Sequence, residues 1–251
     1  MRRVLVGELM DDPGIDPAEH ARALRALDRL HRLGGTAGLL GRAIEGVLAA
    51  AGRSAERSHD DGRAVRLLDV ACGGGAVGVP VVEWLQRRGW AVRLIGCDVS
   101  ETALRSARVA ADAAGLVGHG WVVADATAGG LPECDVAVCG LFLHHLSEAD
   151  AAAVLRGMGE AARSGGVVLD LLRSRHGLAM VWLACRVVTR SSVVHVDGPR
   201  SVRAAFTAGE LAGLAEQAGL VGDCGEAAVR RVFGQRAVLT WGGGARVSGD
   251  A

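Results

Sequence analysis

Three glycines, Gly73, Gly75 and Gly78, follow an apolar run in LLDVACGGGAVG, residues 67–78, in the order G-x-G-x-x-G. Glycines at this spacing let a chain turn sharply out of a strand, and let its N–H groups approach a charged ligand where a helix starts. The next apolar run, LIGCDVS, carries Asp98, 23 residues after Gly75. A carboxylate there can take both hydroxyls of a ribose. The pair leaves two ligands open, a nicotinamide dinucleotide and S-adenosylmethionine.

Three details separate them. Asp69 stands inside the strand, four residues before Gly73, where a dinucleotide site has apolar residues; a buried carboxylate suits the ammonium of an amino acid. Asp125, followed by Ala126, closes the run GWVVAD and can accept from an adenine amine. A later run ends in Gly140-Leu141-Phe142-Leu143-His144-His145-Leu146, bringing two imidazoles to the sheet edge where ligands of open α/β sheets bind.

Proton chemistry has few candidates, because the sequence contains no Lys, Tyr or Asn and all 28 basic residues besides His are Arg. That excludes a Schiff base, a phosphate-loop lysine and a Tyr–Lys proton-transfer dyad. AT-poor codon usage accounts for the bias; the chemical exclusion stands regardless. His144, His145 and Asp170, the last at the end of VVLD, are the candidate catalytic groups. A His set by a carboxylate is a sound base near neutral pH. On an extended segment the two His would point to opposite sides.

These residues need a scaffold. Apolar runs VRLLDVA, AVRLIGCD, GWVVAD, CDVAVCG and GGVVLDLL alternate with helical patterns from Val65 onward, which predicts a parallel sheet flanked by helices. AAVRRVF and QRAVLTW, with a turn at Gly234, predict a terminal antiparallel pair after a helix capped by Thr207 and Glu210. Pro80, just past the glycines, predicts a late start or a kink in the helix there. Two helices over residues 1–52, the first capped by Asp16 and the second by Thr36, are expected to form an N-terminal cap, and the charged run 53–64 an exposed linker. Residues 175–206 read as a lid-like helical insertion, with Met180 and Trp182 in the core and His195 in a loop. Trp121 reads as core packing.

Composition bounds the rest. The 251 residues are 50% hydrophobic and 22% charged, with 28 acidic and 28 basic side chains. A nucleic-acid substrate is disfavoured by that balance and by the lack of an Arg stripe. Cysteines 72, 97, 134, 139, 185 and 224 form no C-x-x-C pair. They read as buried, reduced thiols of a cytoplasmic protein, with no metal site. No uncharged run reaches 18 residues, and the N-terminus lacks the apolar stretch of a signal peptide, so no stable membrane insertion is expected.

The ordered set D-V-A-C-G-G-G, Asp98, Asp125-Ala126 and FLHHL resembles the class I S-adenosylmethionine-dependent methyltransferases, over residues 65–242. The resemblance implies an α/β Rossmann-like fold, a seven-stranded, mostly parallel sheet with its last strand antiparallel. It implies that Gly73 and Gly75 line the methionine end of the cofactor, Asp98 and Val99 its ribose and adenine, and Asp125 and Ala126 its adenine. Asp69, Ala71, Gly140 and Leu141 complete the expected cofactor site. Some family members that methylate sugar hydroxyls use a His and a carboxylate at places matching His144, His145 and Asp170.

ELMDDPGIDPAEH, LLRSR, HVDGPRSVRAAFT and EQAGL look like small-molecule methyltransferases of bacterial secondary metabolism, of the quinone-biosynthesis type. The expected function is methyl transfer to O or C of a small hydrophobic or aromatic acceptor (phenol, quinol or polyketide-like) by a monomer or homodimer. The alternatives are an NAD-dependent oxidoreductase and a nucleic-acid or protein methyltransferase. Against an amino-nitrogen target in nucleic acid or protein, GLFLHH replaces the Asn/Asp-Pro-Pro-aromatic run common in such enzymes.

Overall fold

The computed structural model describes residues 1–12, 14–60, 64–220 and 227–242. Its apolar runs pair into one seven-stranded sheet of β1 (Val65–Val70), β2 (Val92–Asp98), β3 (Gly120–Val123), β4 (Cys134–Gly140), β5 (Ala162–Leu171), β6 (Ala228–Val232) and β7 (Arg236–Gly242). The order is β3-β2-β1-β4-β5-β7-β6, parallel except for β7, which is antiparallel to both neighbours. This is the sheet the sequence predicts, and its terminal hairpin turns at Gly234.

The helices are α1 (Pro17–Leu33), α2 (Thr36–Ala50), α3 (Ala55–Asp60), α4 (Gly78–Arg87), α5 (Glu101–Ala113), α6 (Glu148–Ala161), α7 (Arg175–Val188), α8 (Ser192–Ala204) and α9 (Ala208–Gln217). Successive strand residues bury opposite ways. Leu67, Val136, Val138 and Leu169 join Ile44 of α2 and Leu85 of α4 in one core. Leu68, Ala137, Cys139 and Val168 join Met158 of α6 and Leu214 of α9 in the other. Both faces of the central strands are therefore covered, which fixes register and holds the strand ends rigidly.

Several expectations change. The two N-terminal helices do not form one cap: α2 packs on the sheet as a full member of its helical layer, whereas α1 joins α7 and α8. Ala23, Ala26, Cys185, Val193 and Val194 form a small separate core among those three. Asp16 caps α1 through the Glu19 amide at 2.9 Å, but Gly35, at φ 63°, caps α2 in place of Thr36. The Thr36 hydroxyl instead accepts from buried Arg236 at 3.0 Å. Thr207 and Glu210 make the expected capping box.

Within 53–64 the chain forms α3, and buried Ser58 accepts from the Ala91 amide at 3.0 Å; residues 61–63 lie outside the described set. His195 sits on α8, with Pro199 inside that helix. Pro80 falls in the first turn of α4, where its missing N–H removes no intrahelical bond. Trp121 packs against the core that holds Ile44 and Leu85. Met180 and Trp182 are 42% and 48% exposed: α7 buries its other face. The five described cysteines are free and buried; Cys224 lies outside the described residues. Among the described residues no helix is long and apolar enough to cross a membrane.

Candidate functional site

The turn after β1 is built on left-handed backbone at Ala71 (φ 55°), Gly73 (φ 51°) and Gly75 (φ 81°). The two glycines do different work. A Cβ on Gly75 would lie 3.2 Å from the Ala107 Cα, so this glycine lets α5 approach; a Cβ on Gly73 would meet nothing within 4 Å. Gly73 therefore leaves a bare backbone edge facing open space. Its N–H donates to Asp98 Oδ2 at 2.9 Å, and Ser100 N–H donates to Oδ1 at 2.9 Å, which ties the ends of β1 and β2 together.

Asp69, on β1, is 2% exposed, and its Oδ2 has no hydrogen-bond partner among the described residues. Gly78 makes room for it, since a Cβ there would sit 2.2 Å from that oxygen. Burial and then the neighbouring Asp98 charge push the Asp69 carboxyl up to about 7, against a weaker opposing pull from the Gly78 amide. A buried, unpartnered carboxylate beside a bare glycine edge fits a ligand that brings its own cation.

A cavity of about 310 Å³ opens on this turn. Asp69, Ala71, Gly73, Gly140, Leu141, His144 and His145 all line it, and α1, α7 and α8 wall it with Leu27, Leu30, Val181 and Val194. Of the remaining expected residues, Gly75 packs beneath the turn, and Asp98, Val99, Asp125 and Ala126 do not line the cavity. Val99 is 65% exposed, and Ala126 packs in the core. The Asp125 carboxylate accepts from Thr127 N–H and Oγ1 at 2.8 and 2.7 Å, bonds that lower its pKa. A larger cavity, about 510 Å³, lies between α2 and the β6–β7 hairpin, but among the described residues no His, Cys or carboxylate lines it.

His144 and His145 are not on an extended segment. Leu141, at φ 59°, turns the chain at the end of β4, and residues 143–145 form one turn of 3₁₀-helix. The imidazole centroids consequently lie 4.2 Å apart, tilted by 34°, instead of facing opposite sides. His144 is buried, and its Nδ1 donates to Asp170 Oδ1 at 2.6 Å while its backbone N–H donates to Oδ2 at 3.0 Å. Because a carboxylate only accepts, this fixes the tautomer and leaves Nε2 as the proton acceptor.

Burial opposes charge on His144, but Asp170 and Glu8 outweigh it and hold its pKa above the ordinary value. His145 is lowered to about 4 by desolvation and then by His144, an effect its solvent exposure moderates.

Glu8 carries no role in the sequence reading. Its Oε1 lies 3.9 Å from His144 Nε2 and accepts a hydrogen bond from Ser201. Burial raises its pKa first, with Ser201 and His144 opposing. Asp197 of α8 holds the segment by accepting from the Leu9 and Met10 amides at 2.8 and 3.1 Å. Arg3 donates to the Leu146 and Ala204 carbonyls, each at 2.6 Å. Both ends of this clasp stand in motifs already noted, ELMDD and HVDGPRS, but nothing in their spacing reveals that they meet. Glu8, His144 and His145 also offer three ligand atoms within 4.8 Å of one another, enough to grip a divalent transition metal.

Residues 67–166 match the family model of the methyltransferase domain. Among solved structures, the plantazolicin methyltransferase BpumL in complex with S-adenosylhomocysteine aligns with a TM-score of 0.63, at 12% identity over 91% of each chain. The magnesium protoporphyrin IX methyltransferase ChlM from Synechocystis PCC 6803, also with S-adenosylhomocysteine, aligns at 0.56 and 15% identity over 91% of this chain and 95% of its own. The mitomycin 7-O-methyltransferase MmcR aligns at 0.53 and 18% identity, over 80% of this chain. The chain spans just over half the length of MmcR, 54%, and of other matched structures at 56% and 52%. No curated protein matches in sequence. At such identities the likeness establishes the shared fold.

Proposed function

Residues 67–166 match the methyltransferase-domain model, and we propose that the chain is a class I S-adenosylmethionine-dependent methyltransferase that methylates an oxygen or carbon of a small, largely apolar acceptor of phenol, quinol or polyketide type. The observation that carries the reading is that His144, held from behind by buried Asp170, lines the same cavity as Asp69 and the bare edge of Gly73.

Asp69 would pair with the ammonium of the methionine moiety, beside the backbone of Ala71, Gly73, Gly140 and Leu141. Asp98 and Val99 would take the ribose side. Asp125 and Ala126 would take the adenine, Ala126 by its backbone because its methyl is committed to the core. When bound, S-adenosylmethionine supplies a methyl carbon already activated by a positive sulfur, so the protein's task is chiefly alignment.

His144 Nε2 would accept the proton from an acceptor hydroxyl or activated ring carbon. Asp170 keeps the ring in the required tautomer and stabilises the imidazolium that forms. Leu27, Leu30, Val181 and Val194 would exclude water and favour an apolar ring.

Methyl transfer with mass detection across a panel of phenols, quinols and polyketide-like aromatics tests the proposal. A methylated product is expected, with turnover about 10²–10⁴-fold lower in His144→Ala and cofactor binding retained. Undiminished turnover in that variant would leave alignment as the whole of the catalysis.

A further inference from the structure

Helix α7 is apolar on two sides. Gly177, Val181 and Cys185 face inward, the last two lining the cavity. Met180, Leu183 and Val187, at i, i+3 and i+7, face outward and are 42%, 57% and 76% exposed. Trp182 flanks them at 48%, with the Arg186 guanidinium 4.0 Å above its ring. Single exposed apolar residues are ordinary, but several along one face of a 14-residue helix form a contiguous stripe.

The charge around the stripe is one-sided. Residues 174–206 contain Arg175, Arg186, Arg190, Arg200 and Arg203 against the single acid Asp197, which is buried, engaged with Leu9 and Met10 and 3.5 Å from Arg200, so the local excess rests on the other four arginines. The whole chain has equal numbers of acidic and basic groups, so the cationic excess is local to the lid. A helix too short to span a bilayer, with an exposed apolar stripe, a Trp and flanking arginines, has the makeup of one that lies in the plane of an anionic membrane surface.

We propose that the outer face of α7 docks the protein on an anionic lipid bilayer. A second copy seated twofold on the same stripe would bring Arg175 and Arg186 toward the arginines of the other copy, a like-charge arrangement that disfavours it. Docking by α7 sets the cavity it walls against the bilayer, so an acceptor dissolved in lipid meets the site at its lid. That consequence rests on the methyl-transfer reading; the docking itself does not.

Co-sedimentation of the full chain, without acceptor, tests this on vesicles of equal parts phosphatidylglycerol and phosphatidylcholine against vesicles of phosphatidylcholine alone. Binding to the anionic vesicles is expected, with a blue shift of tryptophan emission that Trp182→Phe removes. Salt should weaken binding, as should Arg186→Gln, by about fivefold. The exposed double change Leu183→Glu, Val187→Glu should abolish binding while S-adenosylhomocysteine still binds, which shows the fold intact. Equal sedimentation with both vesicle types, or undiminished binding by the double variant, would overturn the proposal. A dimer in light scattering that the double variant dissociates, without vesicle binding, would assign the stripe to a second copy and overturn it too. Failure of the parent protein to bind S-adenosylhomocysteine would count against the methyl-transfer reading and leave the vesicle result standing.

Discussion

Asp69 gives the sharpest separation of binding from stability. Its carboxyl, normally at 3.8, is raised to about 7 in the fold, roughly three units, or about 4 kcal/mol between the two protonation states. Because the folded value lies above the unfolded one, the fold is favoured at low pH. That advantage is lost as pH rises, fully so above about pH 7. Asp69→Asn removes the ionisable group while keeping its shape. Urea melts should show the variant more stable than the parent by roughly 2 kcal/mol near pH 5.5, widening to about 4 kcal/mol near pH 8. If the carboxylate pairs with the ligand's ammonium, the same variant should bind S-adenosylhomocysteine about ten- to a hundredfold more weakly, the value of a charged hydrogen bond. A variant no more stable than the parent at the upper pH, or one that binds S-adenosylhomocysteine as tightly, would refute the reasoning.

If His144 is the base, its pKa, held up chiefly by Asp170 against desolvation, should give a turnover profile whose rising limb lies above the ordinary imidazole value; Asp170→Asn should lower both limb and plateau, read from initial rates across pH. Zn²⁺ should inhibit by taking the donors of Glu8, His144 and His145, with chelation restoring the rate and His145→Ala weakening the inhibition; activity that instead vanishes on chelation would make a metal part of the reaction. Gly75→Ala, strained at φ 81° and crowded by Ala107, should lower stability by about 1–3 kcal/mol in urea melts. Gly73→Ala, with open space around it, should cost less stability and act mainly on S-adenosylhomocysteine affinity.

Much of the site's frame can be read in the sequence because it depends on local chemistry. The near-continuous apolar runs VRLLDV and CDVAVCG reflect strands covered on both faces, and the glycines mark a turn that needs left-handed backbone. Asp170 and the His pair are legible as strand-end residues of one parallel sheet. Their geometry is not, because one left-handed residue, Leu141, converts an extended segment into a 3₁₀ turn. Glu8 is separated from His144 by more than half of the chain, and only the fold brings ELMDD under α8. The outward placement of Met180 and Trp182 is likewise set by which side of α7 meets α1 and α8; periodicity finds an apolar helix but cannot say that both faces are apolar for different reasons.

Isothermal calorimetry of S-adenosylhomocysteine against the parent protein and Asp98→Ala tests the central claim most directly, that the turn between β1 and α4 is a cofactor site. Binding in the micromolar range is expected for the parent, about −8 kcal/mol. It should weaken strongly in Asp98→Ala, where the proposed ribose contact and the 2.9 Å tie to Gly73 are both lost. No measurable heat with the folded parent, or equal affinity in the variant, would contradict it.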